Sequence, residues 1–182
     1  MIRTLIVFCL IVGAFAHPDY GPCPRVPTEY VDVNRMAGKW YGYARSSNNK
    51  DEAERCPIFN WIQTDDGRTL FVFSDISALI NDNSTIVADV NVVSNSLFLR
   101  AHIPVLEVER KHHYIVETDY DNYEIVYECV EQGPHHISNE WVVTRSLQTN
   151  KNLDNIIQNA YRRRGLPVLP LDKVNRKICL QK

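Results

Sequence analysis

Residues 116–129 read "VETDYDNYEIVYEC", a stretch dense in carboxylates and tyrosines, and the fold turns on what they are. They are an acidic catalytic cluster, a metal site, or the reversal of a hairpin. Thr118-Asp119-Tyr120-Asp121-Asn122 lies between two runs rich in β-branched and aromatic residues. Asp and Asn side chains accept hydrogen bonds from nearby backbone and tolerate turn dihedrals, so the chain is expected to reverse here. General acid/base chemistry needs paired carboxylates in a partly buried cleft with their pKa values driven apart. Acids at a tight turn face water instead. In the run that follows, Glu124 and Glu128 share one face, and Tyr123, Ile125 and Tyr127 share the other. The two glutamates are expected on the solvent face of a half-buried strand. The stretch is a hairpin.

Similar runs recur on both sides of it: "KWYGYARS", "PIFNWIQT", "TLFVFSD", "TIVADVNVV", "SLFLRAHI", "HYIVETD", "YEIVYECV" and "EWVVTRS". Their Val, Ile, Phe, Tyr and Trp content, with Asp/Asn/Gly breaks between them, indicates an antiparallel sheet. In the fourth run Ile86, Ala88, Val90 and Val92 take one face, and Asp89 and Asn91 the other. One helix is expected, from Leu153, where Ile156, Ile157, Ala160 and Tyr161 continue an apolar stripe. Asn152 caps its start, Arg162-Arg163-Arg164 suits the negative end of its dipole, and Gly165 then Pro167 stop it. A solvated helix end accounts for the three arginines without an anion site. "RGLPVLPL" after the helix is expected to form an extra short strand and tail. Eight sequential strands close into an up-and-down barrel or stack as a two-sheet sandwich, and periodicity leaves both open.

The amino terminus belongs to another kind of segment. Arg3 precedes the apolar run "LIVFCLIVGAFA", which ends in Ala14-Phe15-Ala16, the pattern of a cleaved secretory signal over residues 1–16. The run is too short for a comfortable membrane span. Residues 17–182 then form one domain in an oxidising compartment, and no membrane span is expected. Formal net charge is −2, becoming −3 when Arg3 is removed with the leader, too mild for a nucleic-acid or anionic-membrane partner. Cys9 leaves with the leader as well. Cys23, Cys56, Cys129 and Cys179 remain, an even number that implies two disulfides of undetermined connectivity. No CxxC or CxxH spacing points to zinc. His112-His113 and His135-His136 are adjacent pairs, and neighbours on a strand point oppositely, so each offers one ligand per face at most. No metal is expected. Asn83-Ser84-Thr85 is an N-glycosylation sequon in an expected loop. The sequence sets no oligomeric state.

The hairpin also carries a resemblance. Thr118-Asp119-Tyr120, with Gly38-Lys39-Trp40 opening the first strand and Arg145 after "EWVVT", resembles the lipocalin signature. The resemblance implies an all-β, eight-stranded antiparallel up-and-down barrel with one C-terminal helix packed outside. Gly38, Trp40, Thr118, Asp119, Tyr120 and Arg145 would meet at its closed end as structural residues. The cysteine pattern further resembles the apolipoprotein D branch, with arthropod bilin-binding proteins, insecticyanin and crustacyanin. That resemblance implies the pairs Cys23–Cys129 and Cys56–Cys179.

A lipocalin holds its ligand inside the barrel. Counting from Trp40, Gly42 and Ala44 are expected to face inward, as are Trp141 and Val143 counting back from Arg145. Tyr114 and Val116 are expected inside, with His113 and Glu117 outside. Leu97, Leu99 and Ala101 oppose Arg100 and His102, and Ile86, Ala88 and Val90 form the inner side of their strand. Phe59 with Trp61, and Phe71 with Phe73, complete the wall, guided partly by the resemblance.

The expected function is a secreted carrier of a small hydrophobic ligand: a bilin, carotenoid or retinoid, sterol or fatty acid. No cofactor is required, and non-covalent biliverdin is one candidate occupant. The alternative is a scavenger of small signalling molecules such as biogenic amines. That alternative predicts acidic side chains inside the cup, and the inward residues above contain none. An enzyme like the lipocalin-type prostaglandin synthases would need a free inward thiol, and all four mature cysteines match disulfide positions. No enzymatic activity is expected.

Overall fold

The computed structural model describes residues 19–27, 30–46, 54–77, 82–93, 96–102, 109–149, 152–168, 170–177 and 179; the leader assigned to residues 1–16 lies outside them. The elements run β1 (Asp19–Tyr20), α1 (Val33–Met36), β2 (Gly38–Ser46), β3 (Glu54–Gln63), β4 (Thr69–Ser77), β5 (Asn83–Val93) and β6 (Ser96–His102). They continue as β7 (Glu109–Thr118), β8 (Tyr123–Gln132), β9 (His135–Thr144), α2 (Leu153–Arg164) and β10 (Leu171–Lys173). Strands β2 to β9 pair antiparallel with their sequence neighbours, and β9 also pairs with β2 through Tyr41↔Thr144 and Gly42↔Val143. That last pairing decides between sandwich and barrel: the sheet closes on itself, which removes its exposed edges. β1 and β10 lie outside the eight, on β9 and β2. Asn83 is exposed as the first residue of β5 rather than lying in a loop.

Helix α2 forms as its sequence dictates. The Asn152 side chain accepts from the Asp154 N–H, and Gly165 ends the helix in the left-handed region at φ 66°. Its buried face of Leu153, Ile157, Ala160 and Tyr161 packs on Ala44, Val116, Tyr123, Ile125, Tyr127 and Val142 from the outside of the barrel. This contact overturns three expectations. Ala44, Tyr114 and Val116 do not face the interior; they belong to the outer wall under or beside α2. In β2 and β7 the cause is an irregularity in pairing, between Gly42 and Ala44 and between Ile115 and Glu117. One extra residue on one strand reverses which face the following side chains take. In β8 the cause is the helix. Tyr123, Ile125 and Tyr127 were the apolar face, but that face is buried against α2, so Glu124, Val126 and Glu128 turn inward.

At the closed end Trp40 is completely buried, and its indole N–H donates to the Met36 carbonyl at 2.9 Å. The Arg145 guanidinium lies over its ring. Gly38 has φ 99°, and a Cβ there would stand 3.2 Å from Arg145 Nη1, so the site needs glycine on both counts. The acids of the hairpin serve the turn. Asp119 Oδ1 accepts from the N–H groups of Asn122 and Tyr123, while the Thr118 hydroxyl accepts from the Tyr120 N–H. Disulfides Cys23–Cys129 and Cys56–Cys179 tie the leader-proximal segment and the tail to the barrel, leaving no free thiol among the described residues.

Candidate ligand site inside the barrel

Aromatic rings dominate the inner wall. Phe59 on β3 packs against Phe73 on β4 at 5.1 Å and Trp141 on β9 at 5.2 Å, and Trp61 lies edge-on to Phe71 at 5.0 Å. Gly42, Ile86, Ala88, Val90, Leu97, Leu99 and Val143 also stand on the inner wall, as alternation placed them. Such rings meet at tilted or edge-to-face angles because their quadrupoles favour it. They fill much of the barrel. What remains is a small cavity of about 10 Å³, lined by Phe59, Trp61, Phe71, His113, Glu124, Val126, Glu128, Trp141 and Val143.

The polar groups among those residues come from positions that the sequence assigned to solvent. His113 Nε2 lies 3.0 Å from Glu128 Oε1, with both side chains nearly buried. Glu124 sits deeper, beside Val143 in register and close to the closed end, 1 % exposed. Burial pushes its carboxyl up to about 8, against the opposing pull of the Arg145 charge and of the Trp61 indole. The Trp61 N–H comes near without reaching hydrogen-bond geometry, and Trp61 Nε1 and Glu124 Oε2 both end in the interior with no hydrogen-bond partner among the described residues. The signal for these residues lay in the helix: its apolar stripe needs an apolar strand face outside the barrel, and "YEIVYEC" supplies one.

Each adjacent histidine pair splits across its strand. His112 is exposed while His113 is buried, and His136 meets the Gly21 carbonyl at 3.0 Å while His135 packs on Tyr20. Among the described residues no group of three or more His, Cys, Asp or Glu is placed to hold a metal ion. No helix among them is long and apolar enough to cross a membrane. Two wider clefts open on the outer surface, but their charged groups are engaged. Arg163 pairs with Glu117 in one. In the other, Lys173 pairs with Asp154, and Arg176 donates to the carbonyls of Gly42, Tyr41 and Leu147. Among the described residues, the interior cavity combines apolar walls with convergent polar groups.

Several solved structures share this architecture. A major allergen of cockroaches superposes with a TM-score of 0.69 at 16% identity, covering 87% of this chain and 98% of its own. Insecticyanin of the tobacco hornworm Manduca sexta gives 0.66 at 18% identity, over 81% of this chain and 80% of its own. The amine-binding protein of Rhodnius prolixus, in its tryptamine complex, gives 0.65 at 18% identity, over 85% and 86%. Identities this low establish the fold alone. The lipocalin / cytosolic fatty-acid binding protein family matches in sequence over residues 37–169, all eight barrel strands and α2, and the chain belongs to that family.

Proposed function

We propose that this protein is a secreted carrier that holds one small ligand in the barrel, and that the ligand joins a flat apolar ring to an amine cation. The family binds small hydrophobic molecules and consists in general of carriers rather than enzymes. The observation that favours an amine is the inward placement of Glu124 and Glu128, the feature that separates a cationic ligand from a neutral lipophile. Aromatic faces such as Phe59, Trp61 and Trp141 add a second attraction for a cation attached to a ring. At about 10 Å³ the cavity holds roughly one water, well below the usual range for ligand sites, so any occupant must part the packed rings. An elongated pigment such as biliverdin is the competing occupant, and it would have to displace more of the packed rings than a small amine does. The signal over residues 1–16 and the exposed sequon at Asn83 support export, with Asn83 as the glycan acceptor.

Titration calorimetry with tryptamine, its neutral alcohol analogue and biliverdin tests the ligand class. The expected result is that the amine binds at least tenfold more tightly than the alcohol. Equal affinities, or tight binding of biliverdin alone, would return the protein to the carriers of neutral lipophiles or pigments.

A further inference from the structure

Two carboxylates reach the cavity, and their surroundings differ. Glu128 already has a polar neighbour in the cavity, His113 Nε2 at 3.0 Å from its Oε1. Glu124 lines the cavity, and its Oε2 is buried with no hydrogen-bond partner among the described residues. The Arg145 charge acts on Glu124 from a distance, but its N–H groups donate to the carbonyls of Arg35, Ala37 and Tyr120. We propose that Glu124, not Glu128, receives the ligand's ammonium group, and that it gives up its proton to solvent as the cation arrives. The proposal rests on the amine reading above.

Burying an ionised carboxylate without a partner costs several kcal/mol, and a protein avoids that cost by keeping the group neutral. The carboxyl of Glu124, held up to about 8 chiefly by burial, is in that state near neutral pH. An ammonium ion placed against Oε2 supplies the hydrogen-bonded cation that the distant Arg145 does not, and favours the anion. The acid's O–H bond breaks, its electron pair stays on the oxygen, the proton leaves to solvent, and an N–H of the ligand donates to the carboxylate. Net charge in the cavity is then unchanged, because one cation replaces one proton. The titratable groups facing this site are His113 from β7 and Glu128 from β8, with Arg145 beyond the floor. Nearer the open end, Arg45 of β2 pairs in register with Trp141, and Asp75 of β4 continues the face of Phe71 and Phe73. The other cavity-lining residues carry no titratable group.

The exchange makes affinity depend on pH in a defined direction. Below about 8 each unit fall in pH weakens amine binding tenfold for every proton released, because the free protein holds the proton more firmly. Tryptamine binding to the full mature protein, measured calorimetrically at pH 6.5 in two buffers of different ionisation enthalpy, reads the proton count. The expected count is close to one released per amine bound, lost in Glu124→Gln and kept in Glu128→Gln and His113→Gln. Glutamine has the shape of the protonated acid, and an unchanged melting temperature of Glu124→Gln checks that the fold persists. Release that vanishes in Glu128→Gln but survives in Glu124→Gln overturns the assignment. Tight amine binding with no buffer dependence overturns the exchange while leaving the amine reading in place. Absence of any amine binding by the native protein removes both.

Discussion

Glu140 on β9 and Tyr161 on α2 face each other in the interface between barrel and helix, each 1 % exposed. Neither carboxylate oxygen reaches hydrogen-bond geometry with the tyrosine hydroxyl, although its proximity lowers the pKa of the acid. Burial is the larger effect and pushes Glu140 up to about 8, while the Tyr161 hydroxyl is driven well above its ordinary value. Both groups therefore stay neutral where the helix docks.

This arrangement sets a pH dependence of stability. The folded value of Glu140 lies above that of an exposed glutamate, about 4.3. Between there and about 8 the folded state holds a proton that the unfolded state has lost, so stability falls as pH rises through that window and levels above it. Glu124 acts in the same direction. Urea unfolding of Glu140→Gln is expected to match the native protein at pH 4 and to exceed it at pH 8 by on the order of 1–3 kcal/mol. Equal stabilities at both pH values would mean that the carboxylate is ionised and solvated in the folded state.

The closed end depends on one stacked pair. Arg145 Cζ lies 3.8 Å over the Trp40 ring while the guanidinium donates to three backbone carbonyls. Trp40→Ala removes a fully buried indole and is expected to cost about 3–5 kcal/mol. Arg145→Lys keeps the charge but loses the planar fork that meets three acceptors, with an expected cost of about 1–3 kcal/mol. Chemical denaturation reads both, and an Arg145→Lys variant as stable as the native protein would show that the carbonyl contacts contribute little.

Gly42 lies where β2 irregularly meets β9, and a Cβ built there would stand 2.5 Å from Pro57 Cγ. Proline has a short, ring-closed side chain that cannot swing away. Gly42→Ala is therefore expected to destabilise by about 1–3 kcal/mol through overpacking. A thermal melt that does not move would place Pro57 farther from the strand than the structure has it.

Much of the fold was legible because it rests on local chemistry. Asp119 and Asn122 make the hairpin, Asn152 and Gly165 bound the helix, and each of the eight runs is a strand. The interior was legible where alternation runs unbroken, as at Phe71 and Phe73 or Leu97 and Leu99. It failed in β2 and β7 because a pairing irregularity leaves no mark in residue type, and at Ala44 and Val116 the face reverses. It failed in β8 for a different reason. Apolar alternation shows which residues share a face, not whether that face meets the core or a helix, and Tyr123, Ile125 and Tyr127 meet α2. Of the polar half of the candidate site, Glu124 and Glu128 were hidden by that ambiguity, and His113 by the irregularity in β7.

Trp141 bears most directly on whether the cup binds its ligand through the aromatic wall. Its ring is 6 % exposed, packs on Phe59 and Phe73, and borders the cavity that holds both glutamates. Arg100 stands on the opposite face of its strand, exposed and paired in register with Asp89. Truncating an aromatic residue that touches a ligand removes both buried area and ring contacts, whereas truncating an outward arginine leaves the cavity unchanged. Trp141→Ala is expected to weaken tryptamine binding by about tenfold or more, close to 1.4 kcal/mol or above, and Arg100→Ala by less than twofold. The opposite order would place the ligand on the outer surface, where the clefts at Arg163 and Lys173 would then be the sites to test.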